Sequence, residues 1–202
     1  DDLARALYQN CPSGVGKGGR IRLSDADMYA VLKQGSRWCV PYQLATADEL
    51  HHTEARGCIA GAEPAKVSQR AKHRGRSQIG TLGAGNHFLE IDQVVATYDA
   101  AAADAFGLRP ELVVVQIHCG SRGLGHQVCT DYVRDLRQAV QRYGIKLPDR
   151  ELICAPLDSP EGQNYFAAMC AAANFAFANR QTLVNLVRES FAHVLGPSGL
   201  RF

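Results

Sequence analysis

Glu111-Leu-Val-Val-Val-Gln-Ile-His118 runs directly into Cys119-Gly-Ser-Arg-Gly-Leu-Gly-His126, and this junction decides how the chain is read. An apolar run of that kind predicts a buried central strand. A long amphipathic helix follows, with Val128, Tyr132, Leu136 and Val140 four apart and Gly144 as its C-cap. Upstream, Gly80-Thr-Leu-Gly-Ala-Gly85 leads into a second strand over His87–Val95. Strands set among helices give the class α+β, a mixed sheet with flanking helices.

Helical signals frame this centre on both sides. Residues 2–10 predict a short helix, broken by the Pro12–Gly19 loop. Ser24 and Asp27 form a capping box that opens a helix through about Lys33. Residues 41–62 are polar and irregular, with a helical turn expected around Asp48–Arg56. Pro64 is placed in the first turn of a short basic helix reaching Lys72. Ser159-Pro160-Glu161 is a strong helix start, and its Ala-rich helix is expected to run to about Leu195. A turn is read at Gly196-Pro197-Ser198-Gly199. No repeat or linker divides the chain, so residues 1–202 form a single segment.

Composition removes several classes of function. No apolar run is long enough to cross a bilayer, and no signal-like N-terminus is seen, so a cytoplasmic protein is expected. Seven cysteines without a C-x-x-C pair argue against a disulfide scaffold and a zinc ribbon. A net charge of +2 means that any nucleic-acid surface must be local. Gly14-Val-Gly-Lys-Gly-Gly19 satisfies G-x-G-x-x-G, yet no strand precedes it, so dinucleotide binding is rejected.

Three stretches can carry chemistry. In Gly83-Ala-Gly-Asn-His-Phe-Leu-Glu90, glycines allow a ligand close to the backbone. Strand alternation there puts His87 on one face and Asn86, Phe88 and Glu90 on the other. That separates a metal ligand from a set suited to a planar base. The alternative is a Gly-rich turn before an ordinary strand with a structural histidine. At the second stretch, His118 ends a strand and could join His87 on one metal, while Arg122 suits a bidentate phosphate contact. The alternative is a tight strand-to-helix connection in which Arg122 pairs with a carboxylate. Cys119 is read as structural. Third, Lys66, Arg70, Lys72, His73, Arg74 and Arg76 could neutralise several backbone phosphates of a nucleic acid, or could simply form a solvated helix face.

Five strings resemble the RtcB family, in the same order along nearly the whole chain. They are Pro12-Ser-Gly-Val-Gly16, Val67-Ser-Gln-Arg-Ala-Lys72, Gly83–Glu90, Gly120-Ser-Arg-Gly-Leu-Gly-His-Gln-Val128, and Glu161-Gly162 with Ala172–Gln181. The resemblance implies an RNA ligase dependent on GTP and Mn2+, joining 3′-phosphate or 2′,3′-cyclic phosphate ends to 5′-hydroxyls in tRNA splicing or RNA repair. It implies that His87 and His118 ligate manganese and that Asn86, Phe88 and Glu90 hold the nucleotide. Arg122 and Arg74 would meet RNA phosphate, and an archease-type helper is a possible partner.

The resemblance also marks what is missing. The family's Asp and Cys metal ligands lie upstream of the matching strings, and a further metal-binding His and the guanylylated His lie downstream. Cys11, His126 and His193 stand in the wrong context to replace them. The segment is therefore expected to lack the N- and C-terminal parts of the core, to bind manganese weakly and to form no guanylylated intermediate alone. The competing expectations are a non-catalytic RNA- or nucleotide-binding module and a metal-dependent phosphohydrolase.

Overall fold

The computed structural model describes residues 1–196, apart from the Arg150 side chain. The turn expected at Gly196–Gly199 therefore lies, beyond its first residue, outside the described residues. The helices are α1 (Asp2–Asn10), α2 (Asp25–Gln34), α3 (Ala47–His51), α4 (Gln69–Gly75), α5 (Ala100–Ala105), α6 (Arg122–Arg142) and α7 (Pro160–Leu195). The strands are β1 (Phe88–Gln93) and β2 (Val113–His118).

Local signals set most helix ends. Ser24 accepts the Asp27 N–H at 3.1 Å while the Asp27 carboxylate accepts the Ser24 N–H at 3.2 Å, closing the expected box on α2. α7 starts where Ser159 accepts the Gly162 N–H at 3.0 Å, with Pro160 in the first turn. At the end of α6, Gly144 adopts φ +63°. The Gly144 N–H bonds Gln141 O and the Ile145 N–H bonds Val140 O, a Schellman closure that favours glycine there. The basic helix differs from expectation. Pro64–Lys66 is a separate 3-10 turn, and α4 begins only after Ser68, whose hydroxyl accepts the Ala71 N–H at 3.1 Å. A serine N-cap restarts the helix because its side chain competes for the first-turn donors.

Asp27 also accepts bonds from Tyr42 Oη at 2.7 Å and Trp38 Nε1 at 3.3 Å. The Ser24 hydroxyl, with Tyr42 next, holds the carboxyl below its ordinary value. A depressed folded value means stabilisation above the unfolded aspartate pKa of about 3.9, lost as pH falls through the folded value. Asp27→Asn is expected to destabilise at neutral pH by on the order of 1 kcal/mol, as lost caps do. Thermal melts of both proteins should converge in acid, below the aspartate range.

α7 is the spine. Buried Ala168, Ala171, Ala172 and Ala178 let it approach neighbouring elements closely, and Phe175 is fully buried. One core gathers Met28, Val31 and Leu32 of α2 with Trp38, Leu124 and Phe175. Burying an aromatic or aliphatic side chain of this kind contributes about 1.5–3 kcal/mol. A second core joins Leu7 of α1, Leu82, Cys119 and Leu183, Leu186, Val187 and Phe191 of α7. Leu89, Val115 and Ile117 lie against it, so one face of the sheet packs inward.

The sheet itself corrects two expectations. In place of a mixed sheet, β1 and β2 form one antiparallel pair, with Phe88 opposite His118 and Leu89 opposite Ile117. Among the described residues a parallel bridge, Ser13 to Gly83, lies outside it. β2 is not a buried central strand either: among the described residues it pairs only with β1, and Val113 is 56% exposed. Its apolar run covers one packed face and one open face. No helix among the described residues is long and apolar enough to cross a membrane.

Candidate functional site

The outer face of the sheet carries Phe88, Glu90 and His118, because cross-strand partners share a face. Phe88 and His118 rings lie 5.2 Å apart between centroids. His87 precedes the strand, so the alternation that was expected to set it apart does not reach it. Its ring centroid is 6.2 Å from that of His118. His118 thus has the rings of both Phe88 and His87 beside it. Asn86 is exposed in the turn just before His87, and Glu90 pairs across to Gln116.

Arg122 closes the cluster from α6. Its φ is +54°, a left-handed conformation that costs a non-glycine residue of order 1–3 kcal/mol. The guanidinium donates from Nη1 to His87 Nδ1 at 3.1 Å and from Nε to Thr81 Oγ1 at 3.3 Å. It lies flat against Gly83, at φ +80°, where any Cβ would fall on the guanidinium. Among the described residues Arg122 meets no carboxylate; its partners in this tight strand-to-helix connection are His87 and Thr81. Burial, with Arg122 and His118 adding to it, pushes the His87 imidazole below its ordinary value. The ring is therefore neutral near pH 7 and keeps one lone pair.

Arg74 approaches from α4. Its Nη1 donates to Gln127 Oε1 at 3.0 Å and lies 3.4 Å from His126 Nδ1. Gln127 in turn donates to Asp131, which accepts from Ser68. Arg74 thus sits over the first turn of α6, beside Gly123, without a direct contact to His87 or His118.

Several supporting residues went unrecognised in the sequence. Ser121 makes no side-chain cap on α6, and Gln78 takes that role by accepting the Gly123 N–H at 2.9 Å. Asn179, buried in α7, pins both loops. It accepts from Thr81 N at 3.2 Å and donates to Thr81 O at 3.2 Å, Gly120 O at 3.1 Å and Cys119 Sγ at 3.2 Å. Arg180 donates to Cys119 O at 3.0 Å and lies over the Phe177 ring. Cys119 is buried, and burial raises its thiol pKa, in keeping with a structural role. The one available signal was polar: Asn174 falls within, and Asn179 directly after, the Ala- and Phe-rich stretch Ala167–Ala178, and a buried amide must find partners.

The site can therefore present two imidazoles, an aromatic face and a guanidinium at one opening. Among the described residues no group of three or more His, Cys, Asp or Glu side chains could hold a metal by itself. Further ligands would have to join His87 and His118.

Comparison with known proteins agrees on one family. A family model described as tRNA-splicing ligase RtcB matches residues 1–201. The chain is 51% identical to a tRNA-splicing ligase RtcB of Archaeoglobus fulgidus over 97% of its own length and 41% of that protein's. It is 49% identical to the protein of the same name from Thermococcus kodakarensis, covering 96% of this chain and 40% of the relative. The Methanococcus maripaludis relative, also so named, is 46% identical over 98% and 41% of the two chains. The chain spans about two fifths of the length of these relatives.

Proposed function

Because the chain belongs to the RtcB family of tRNA-splicing ligases, we propose that it forms part of the catalytic core of an RNA ligase. The reaction joins an RNA 3′-phosphate or 2′,3′-cyclic phosphate end to a 5′-hydroxyl end, in tRNA splicing or RNA repair in the cytoplasm. GTP supplies a guanylyl group to a histidine that family members carry outside the matched segment. Pyrophosphate leaves in that step; GMP then passes to the RNA 3′-phosphate and is expelled when the 5′-hydroxyl attacks. The observation that carries this reading is the convergence of His87, His118, Phe88 and Arg122 at one end of the sheet.

The residues present suit manganese in part. Imidazole is a borderline ligand that accepts manganese. His87 and His118, with ring centroids 6.2 Å apart, would be the residues of this segment that hold the ion, joined by further ligands. When bound, the ion supplies positive charge to the transferring phosphoryl group. The chain's own residues do the rest. Phe88, stacked near His118, offers a flat face to guanine, and the Glu90 carboxylate on the same face accepts from its N–H donors. Asn86, in the turn, offers its amide to the guanylate phosphate. Arg122 and Arg74 flank the first turn of α6 and grip RNA phosphate oxygens through charge-assisted bonds. An archease-type helper protein is a proposed partner.

The test is an end-joining assay on the full natural chain with GTP, MnCl2 and RNA bearing 3′-phosphate and 5′-hydroxyl ends. A joined product is expected. Phosphate release without joining would instead mark a phosphohydrolase, and RNA retained unchanged would mark a binding module.

A further inference from the structure

We infer that the seam between α4 and α6 is a second RNA contact, a basic track that holds the sugar–phosphate backbone of the substrate as it leaves the site. The inference rests on the RNA-ligase reading above and extends it to a surface outside that site. It follows from how the basic residues before Gly80 are arranged. α4 buries Ala71 and Gly75, and a side chain at Gly75 would strike Leu124 of α6. Arg70 and Arg74, one turn apart, share the flank of α4 that borders α6. Arg74 reaches Gln127 and His126 there, while Arg70 lines a cleft of about 310 Å³ together with Asp131 and Arg134. Lys66, from the turn before α4, lines the same cleft.

The local charge balance favours an anion along this seam. Asp131 accepts from Ser68 and Gln127, and Asp135 accepts from Arg134, so both acids of the cleft are already engaged. The Lys66 and Arg70 side chains make no hydrogen bond or salt bridge among the described residues. Arg74 bonds the uncharged Gln127 amide. Arg20, Arg76 and Arg142 differ, since each meets a carboxylate, at Glu189, Asp25 and Glu161. Arg76 belongs to the same basic run and is thereby left out of the track. Engaged acids beside unengaged cations separate this seam from an ordinary solvated helix face.

The dimensions suit a strand of RNA. From Arg122 to Arg134 the line follows α6 for about 18 Å, twelve residues at about 1.5 Å each. One strand of a duplex carries about five phosphates over that length, at about 3.4 Å apiece. With a net charge of only +2, the chain has little general attraction for nucleic acid, so a local line of cations is what such a surface requires. Guanidinium and ammonium groups take phosphate oxygens by charge-assisted bonds, which position a strand without reading its sequence. The first turn of α6 meets the RNA end, and the seam carries the backbone behind it.

The test is equilibrium binding, without GTP, of 3′-phosphorylated single-stranded RNAs of about 20 and about 4 nucleotides to the full natural chain across a salt series. Arg70→Gln and Lys66→Gln are expected to keep the native melting temperature, since neither side chain supports a described contact. Each should weaken the long RNA roughly fourfold near 0.15 M salt and flatten its log–log salt slope by about 0.7, the single-strand value for one phosphate. The short RNA, confined to the site, should bind as it does to the unmodified protein. Arg5→Gln removes the same charge from α1, outside the seam, and should leave both RNAs unaffected. Unchanged slopes in both seam variants overturn the track while leaving the ligase reading intact. Equal weakening of the short and long RNAs overturns it as well, by moving the two residues into the site. Failure of the unmodified chain to bind either RNA overturns the ligase reading and the track together.

Discussion

In the end-joining assay, His118→Ala should lower kcat by at least about 100-fold, since even residues that merely orient a metal ligand commonly cost 10–100-fold. His118 ends β2 on the exposed outer face, where its contact is the Phe88 ring at 5.2 Å. The side chain is exposed, so the melting temperature should hold within a degree or two of the parent. A metal role makes a second demand. Raising Mn2+ should recover part of the lost rate, because the remaining ligands can be loaded by mass action. His193→Ala, in the last turn of α7, is the matched control and should leave the rate unchanged. Full activity in His118→Ala would remove this histidine from the site.

Asn179→Ala should cost stability as heavily as His118→Ala costs rate. The Asn179 amide serves the Thr81 N–H and the carbonyls of Thr81 and Gly120 from a fully buried position. Truncation strands those groups away from water, at about 1–3 kcal/mol for each one left unsatisfied. A loss of roughly 3 kcal/mol or more is expected, which for a domain of this size lowers Tm by roughly 6–12 °C. Urea unfolding followed by tryptophan fluorescence of Trp38 would report it. A loss under about 1 kcal/mol would mean that water replaces the amide without penalty.

The two predictions differ in how far the sequence could foresee them. His118 was legible because it closes an apolar run and opens a Gly-rich turn. Elements with a signal inside themselves were read nearly residue by residue: the Ser24–Asp27 box, the Ser159-Pro160 start and the Gly144 stop all act through neighbours a few positions away. Asn179 was not legible, because its partners lie 98 residues upstream at Thr81 and 59 upstream at Gly120. The same holds for Gln78, which caps a helix that begins 44 positions after it, a count taken from Gln78 to Arg122.

The errors have physical causes as well. Apolar content in Val113–Ile117 sets how much a strand gains from burial, and says nothing about whether a second face finds cover. Period-two alternation placed His87 opposite Phe88, but that rule holds only inside an extended strand. Gly85-Asn86-His87 is still turning, so the imidazole swings round beside His118. Pro64 does open a helical turn, as expected, yet Ser68 outcompetes it as the start of α4.

The spine helix has a consequence for biosynthesis. α1 is made long before α7, and its Asn10 amide bonds Ser190 of α7, 180 residues later. Both hydrophobic cores likewise draw on α7, so neither can close while the ribosome is still making the middle of the chain. At about 5–20 residues per second, α1 waits on the order of ten to forty seconds for its partner. During that interval its apolar face and the β1–β2 hairpin stay open to solvent. Closure of this part of the chain thus depends on completion of α7, and contacts so far apart in sequence slow that step.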